Sequence, residues 1–304
     1  MKPIGFVIIT YNRPDDMLAL AQNISQLSEV ASLLEEVVII NNNSTSDYGA
    51  VQKFIQSHPD IPFKYVESSE NLGVAKGRNF ALSKSTAPIL IMLDDDAVLQ
   101  HSDSLIQIKE AFENNFTNHP IAIVSFKVLY YDTLEMQVNA LPHKKFQQKK
   151  DLQFFETYYY AGGAHAIKRE VLDHIGPYSS DFFYGMEEYD LSYRVLENGY
   201  AIVYDSNIVM LHKESPLGRK PKNEKLRMMW VNKTKVSWRY LPKKYFYTTA
   251  LLWSFFYLRH TRFHLRGFYK GWKEIFRIPR FEKRKPLSRI TLSRLKKMDA
   301  RLYY

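Results

Sequence analysis

Apolar residues in the first 130 positions are gathered into five short runs, residues 3–10, 36–40, 63–67, 88–93 and 121–129, and the third is the weakest. Between them lie segments with helical spacing at 15–27, 72–83 (Asn71 a plausible cap) and 104–116. Strands apolar throughout and alternating with helices predict an α/β fold, with a mostly parallel sheet covered by helices on both faces. In such sheets ligands bind beyond the carboxyl ends of the strands. Those ends here carry Thr10-Tyr11-Asn12-Arg13, Asn41-Asn42-Asn43-Ser44 and Asp94-Asp95-Asp96, so three polar clusters converge on one edge.

The pattern changes further along. Residues 140–150 are rich in Lys, Gln and His and read as a flexible loop. A strand at 158–167 is interrupted by Gly162-Gly163. A short helix at 168–175 stops at Gly176-Pro177, a longer one at 186–198 closes at Gly199, and a strand follows at 201–209. From about Leu217 the chain becomes aromatic, basic and mainly helical. We therefore expect a catalytic domain over 1–216 and a helical extension over 217–304.

Composition narrows the classes. With 45% apolar residues in 304, the chain can bury a substantial core. The absence of cysteine excludes disulfides, thiolate nucleophiles and cysteine-ligated zinc, and fits a reducing cytosolic compartment. The opening residues turn polar too soon for a signal peptide. The longest apolar stretch, 245–258, is too short and too closely ringed by Lys243, Lys244, Arg259 and Arg262 to span a bilayer. The net charge of +10 is uneven: residues 211–304 hold 26 Lys and Arg against 5 Asp and Glu, whereas the preceding 210 hold 16 against 27. An acidic body thus carries a basic tail, and basic tails attract phosphate on lipid or nucleic acid.

Two acidic groups carry candidate chemistry. Asp94 and Asp96, one residue apart at a strand end, can both reach one hard cation, whereas a solvated turn is the plain alternative. Glu187, Glu188 and Asp190 fall in the first turn of a helix directly after Phe182-Phe183-Tyr184. Aromatic neighbours can desolvate a carboxylate and raise its pKa toward that of a general base; an Asp190–Arg194 ion pair at i,i+4 is the structural alternative. His212, just past the last strand, could return to the same edge as a third ligand or be structural. Lys213 beside it is a further candidate phosphate contact.

In order along residues 4–213, these pieces resemble family 2 glycosyltransferases of the GT-A fold, particularly bacterial enzymes similar to rhamnosyl- and galactosyltransferases of surface polysaccharide synthesis. Val7-Ile8-Ile9-Thr10-Tyr11-Asn12-Arg13 and Val37-Val38-Ile39-Ile40-Asn41-Asn42-Asn43-Ser44-Thr45 look like the two nucleotide-binding strand ends. Asn71-Leu72-Gly73-Val74-Ala75-Lys76-Gly77-Arg78-Asn79 is similar to the donor-binding helix start. Asp94-Asp95-Asp96 resembles the DxD motif that holds metal and ribose, and Ala161-Gly162-Gly163-Ala164 the strand under donor sugar and acceptor. Glu187-Glu188-Tyr189-Asp190-Leu191 resembles the motif carrying the base, and His212 the late histidine near the metal. Each motif is weak alone and strong in sequence.

The resemblance implies inverting transfer of one sugar from a nucleotide-diphosphate sugar, UDP- or dTDP-linked, to a hydroxyl of a saccharide or lipid-linked acceptor, with Mg²⁺ or Mn²⁺ as cofactor. It implies a base at Glu188, with Glu187 and Asp190 as alternatives, and metal ligands at Asp94, Asp96 and His212. Two positions depart from the family pattern: Asn41 stands where Asp is usual, leaving a carbonyl to accept from a base, and Glu188 replaces the usual Asp. No Gln-x-x-Arg-Trp motif of processive synthases is present. The competing classes are a nucleotidyltransferase, for which 11–14 provides no Gly-rich phosphate loop, and a non-catalytic sugar-binding protein. In the tail, Arg262, Arg266, Lys270, Lys273 and Arg277 recur at helical spacing among aromatics, a pattern suited to an anionic membrane surface, with a helical subdomain packed on the core and a solvated basic face as the plain alternative, and no recognised motif for nucleic acid. The expected location is the inner face of the cell membrane.

Overall fold

A computed structural model describes residues 2–113, 117–217 and 221–302. Its first half runs β1 (Ile4–Thr10), α1 (Pro14–Ser25), α2 (Val30–Leu33), β2 (Leu34–Asn41), α3 (Gly49–Ser57), β3 (Phe63–Glu67), α4 (Gly73–Leu82), β4 (Ile89–Asp94), β5 (Ala97–Leu99) and α5 (Ser104–Glu113). There follow β6 (Ile121–Tyr130), α6 (Phe146–Lys149), β7 (Phe154–Thr157), β8 (Ala164–Lys168), α7 (Arg169–Ile175), α8 (Glu187–Glu197) and β9 (Ala201–His212). The extension comprises α9 (Lys222–Tyr240), α10 (Lys243–His260), α11 (Leu265–Phe281) and α12 (Arg289–Lys297).

One sheet organises the body, in the order β3-β2-β1-β4-β8-β6-β9-β5, with β7 also on β9. β3, β2, β1 and β4 are parallel, as the apolar runs predict. β8 enters antiparallel between β4 and β6, and β5 and β7 pair antiparallel with β9. Alternate side chains feed two cores: Val7, Val38 and Ile40 enter one layer, while Phe6, Ile8, Val37 and Ile39 enter the other. Both faces are covered, so no polar alternation shows in these strands.

Several boundaries differ from the sequence expectation for physical reasons. The 158–167 strand is split, because the backbone at Gly162 and Gly163 is diverted: the Gly162 carbonyl accepts from Arg78 and the Gly163 carbonyl from Asp94 N. Asn71 does not occupy the N-cap position of α4, which is Leu72, but its side-chain Oδ1 accepts from Gly73 N. β9 continues to His212, whose backbone pairs with Ala97 and Tyr130. The 140–150 loop contains α6, and α5 is described to Glu113, so the rest of its expected span lies outside the described residues.

The extension shares the body's core. Val236, Tyr240, Leu241, Leu287 and Leu295 pack in the same apolar cluster as Val7 and Val38. Asp190 of α8, fully buried, fastens the joint: it accepts from Ser179 Oγ (2.6 Å), Arg194 Nε (3.1 Å), Arg239 Nη1 (3.1 Å) and Tyr240 Oη (2.8 Å). α11 lies so close to α9 that a Cβ at Gly271 would sit 2.4 Å from the Trp230 ring.

A buried charge also holds the sheet's far end. Glu36 on β2 accepts from Lys64, Ser85 Oγ and the Thr86 and Ala87 amides. Burial pushes this carboxyl up, but those four donors together hold it below its ordinary value. A depressed folded pKa gives stability that is present above the unfolded value and lost as pH falls through the folded one. Glu36→Gln is therefore expected to cost about 1–3 kcal/mol at pH 7. Urea titrations should show the gap from wild type narrowing below about pH 4.5, the ordinary value of a glutamate.

Candidate active site

The carboxyl end of β4 delivers Asp94 into a cleft of about 780 Å³. Asp95 and Asp96 also border the cleft but are nearly fully buried. Arg13 crosses from the end of β1 to meet both, with Nη1 at 2.8 Å from Asp95 and 3.1 Å from Asp96. The same guanidinium donates to the backbone carbonyls of Ser215 and Leu217, tying the start of the chain to the segment after β9. Arg13 thus lines the cleft while its guanidinium is held by protein groups. Burial raises Asp95 to about 7 against the pull of Arg13, with Asp96's charge adding to the rise.

Asp96 has a different balance. Burial pushes it up, but His212, Arg13 and the Ser215 amide outweigh that and hold it below the carboxylate range. His212 Nε2 lies 3.3 Å from Asp96 Oδ1, and its Nδ1 faces Gln137 Oε1 at 3.2 Å, which fixes the ring. Burial lowers the imidazole's pKa, but Asp96 and Asp94 raise it overall. Ligand atoms of Asp94, Asp96 and His212 lie within 4.8 Å of one another. Two carboxylates and an imidazole form a donor set suited to Mn²⁺ and acceptable to Mg²⁺. Gly163 leaves the room this requires, since a Cβ there would fall 2.2 Å from the Asp94 carboxyl.

The opposite wall is the start of α8. Gly185 and Met186 both take left-handed conformations, turning the chain so that Glu187 and Glu188 open the helix. Glu187 is buried and meets Arg78 Nη1 at 3.1 Å. Burial and the adjacent Glu188 charge push Glu187 up, while Arg78 pulls it down. Arg78 itself is raised: burial disfavours its charge, but Tyr178, Glu187 and Asp94 favour it more strongly. Its Nη2 donates to the Gly162 carbonyl at 2.7 Å and lies 3.9 Å from Asp94. Glu188 is half-buried and lines the cleft. Asp190 does not; it serves the joint with the extension.

The donor candidates divide. Tyr11, Asn12, Arg13, Asn71, Gly73 and Arg78 line the main cleft with the Asp cluster, Gly162 and Gly163. Asn41, Asn43 and Ser44 line an adjoining polar pocket of about 220 Å³. Asn41's amide is engaged, donating to Tyr65 Oη and accepting from Ser44 N. Thr10 is buried against Tyr48 Oη, Lys76 is solvent-exposed, and Asn79 holds the Tyr178 backbone, so none of these three lines the cleft. Sequence reasoning missed Asn42 as a wall residue, together with Glu224, Lys225 and Met229 of α9. Asn42 sat in a cluster already singled out, but the α9 residues carry no motif.

The model of glycosyl transferase family 2 matches residues 6–176, more than half of the chain. This protein belongs to that family. Family membership makes it a glycosyltransferase and sets aside a nucleotidyltransferase. It is 30% identical over 176 residues to an uncharacterized protein of Haemophilus influenzae, covering 57% of this chain and 91% of that one. Of the other curated relatives it matches, it spans between 16% and 35% of their length. Its fold is similar to mannosyltransferase PcManGT of Pyrobaculum calidifontis, solved with GDP-Man and Mn²⁺ (TM-score 0.62, 18% identity, 98% of this chain and 79% of that one). It is also similar to S. aureus TarS with UDP-GlcNAc (TM-score 0.60, 13% identity, 91% and 81%). For this glycosyltransferase, Gly163→Ala should displace Asp94 and lower turnover of a nucleotide sugar on the order of 10²-fold. Initial rates checked against an unchanged circular dichroism spectrum would test this.

Proposed function

We propose that this glycosyltransferase inverts configuration at the anomeric carbon, passing one sugar from a UDP- or dTDP-sugar to a hydroxyl of a saccharide or lipid-linked acceptor. The observation that carries the proposal is the placement of Glu188 across the same cleft from Asp94, Asp96 and His212. A divalent cation held by those three residues would neutralise charge on the departing diphosphate. Mn²⁺ in the PcManGT complex supports that choice of cofactor.

The chain's own residues supply the rest. Glu188, half-exposed in the cleft, takes the proton of the acceptor hydroxyl. The freed oxygen forms the new bond to the anomeric carbon as the bond to the diphosphate oxygen breaks, and the electron pair leaves with the nucleotide. Arg78, fixed by Glu187 and the Gly162 carbonyl, stands beneath as a preorganised positive charge. Glu187 serves that pair, which leaves Glu188 as the carboxylate for proton transfer. Phe183 and Tyr184 close one side of the cleft and limit water around the base. The product would enter a cell-surface glycan, made at the inner face of the membrane.

The decisive measurement is release of nucleoside diphosphate from a donor panel with Mn²⁺ or Mg²⁺. Asp96→Ala should abolish metal-dependent release, and Glu188→Gln should lower kcat by roughly 10²–10⁴-fold with little change in donor KM. Proton NMR of the product should show the opposite anomeric configuration. Full turnover in Asp96→Ala would remove the metal from the scheme, and a retained anomer would remove the single displacement.

A further inference from the structure

The helical extension presents an apolar face that is largely exposed. α11 buries Gly267, Gly271, Ile275 and Ile278 toward α9, while Leu265, Tyr269 and Phe276 line its opposite side, each at least two-thirds exposed. Arg266, Lys270 and Arg277 each follow a residue of that apolar stripe, and Lys273 lies beside it on the same flank. α10 repeats the arrangement, with Tyr247, Leu251 and Phe255 exposed at i,i+4 spacing on the side away from buried Phe246, Ala250 and Tyr257. Solitary exposed apolar residues are ordinary, but contiguous stripes on two neighbouring helices are not.

The turn between the helices strengthens the case. Arg262 and Phe263 both adopt left-handed backbone conformations, which bulky side chains rarely take. The Phe263 amide donates to the Leu258 carbonyl (2.8 Å), so the turn is held closed while its phenyl ring stands 69% exposed. A strained residue that buries nothing within its own fold points to a use outside it. This tip lies beside the active site: His264 Nε2 is 3.5 Å from Asn223 Nδ2, and the next two residues, Glu224 and Lys225, line the cleft.

Charge decides the occupant. Residues 243–281 contain nine Lys and Arg and one acidic residue, Glu274, which is turned inward to Arg227. A second copy of this face would bring like charges together, whereas an anionic bilayer offers apolar depth beneath a layer of negative headgroups. No described helix is long and apolar enough to cross a membrane, so the fit is to lying on one. We propose that the α10–α11 hairpin, led by Phe263 and Leu265 and flanked by Arg262 and Arg266, is a lipid-docking surface that holds the mouth of the cleft against an anionic membrane. It deepens the membrane-side reading of the transfer reaction, and its test reads lipid binding without sugar transfer.

The experiment is flotation of the full chain with vesicles of phosphatidylcholine alone or mixed with phosphatidylglycerol. The protein should float with the mixed vesicles, weakly or not at all with the neutral ones, and less as salt is added. Phe263→Ser with Leu265→Ser should lower partitioning by about tenfold, and Arg262→Glu with Arg266→Glu by tenfold or more. Both variants should keep the wild-type melting temperature and its release of nucleoside diphosphate from soluble donor. Failure of the wild-type protein to float, or wild-type flotation by both variants, would overturn the proposal. So would a stable dimer in sedimentation velocity that the Phe263 and Leu265 substitutions dissolve, or binding to a DNA duplex without binding to vesicles. Vesicle binding without turnover of any donor would keep the docking surface and sink the transferase mechanism instead.

Discussion

The site depends on one buried guanidinium. Arg78 rises from α4 beneath the cleft and meets Glu187 of α8, the Gly162 carbonyl and, more loosely, Asp94 at the end of β4. These groups come from four places in the chain, and no sheet hydrogen bond joins all of them. A cation is expensive to bury unless several acceptors surround it. Once surrounded, it fixes their separations, because a planar guanidinium offers donors at set angles. Glu187 is thereby spent on structure, and its neighbour Glu188 is left facing the cleft.

Asp190 plays a similar part at the joint with the extension. It takes four donors from two helices, α8 and α9, and the segment before α8, and Arg239 and Tyr240 bring α9 against the body. With Trp230 packed under Gly271, the helical extension becomes a wall of the enzyme rather than an appendage. This is why α9 can contribute Glu224, Lys225 and Met229 to the cleft although its sequence shows no donor-binding pattern.

The parallel half of the sheet and the convergence of its polar ends were legible in the sequence, because strands buried on both faces leave unbroken apolar runs. The Asp94–Asp96 cluster could be placed for the same reason: a strand this apolar must end at its first carboxylate. Less could be read where side-chain partners decide. Asp190 and Glu188 sit in one motif two residues apart, and nothing in the sequence says that Arg239, some fifty positions later, engages Asp190. Arg13 lines the cleft, as its place after β1 suggests, but the sequence does not show that its guanidinium also meets Asp95, Asp96 and two carbonyls beyond β9. The interruption at Gly162-Gly163 was legible, but not that the strand would start only at Ala164, because glycine permits a strand as readily as a detour.

That Arg13 bridge also bears on how the molecule comes into being. It joins residue 13 to residues 215 and 217, contacts separated by 202 and 204 positions. A chain folding from its amino end as it is synthesised can lay down β1 to β4 early, since those pairings are comparatively local. Asp95 and Asp96 then wait for the Ser215 amide, His212 and the strap of backbone that completes Arg13's shell. The edge of the sheet that carries Asp95 and Asp96 is therefore complete only when residues 212–217 are in place.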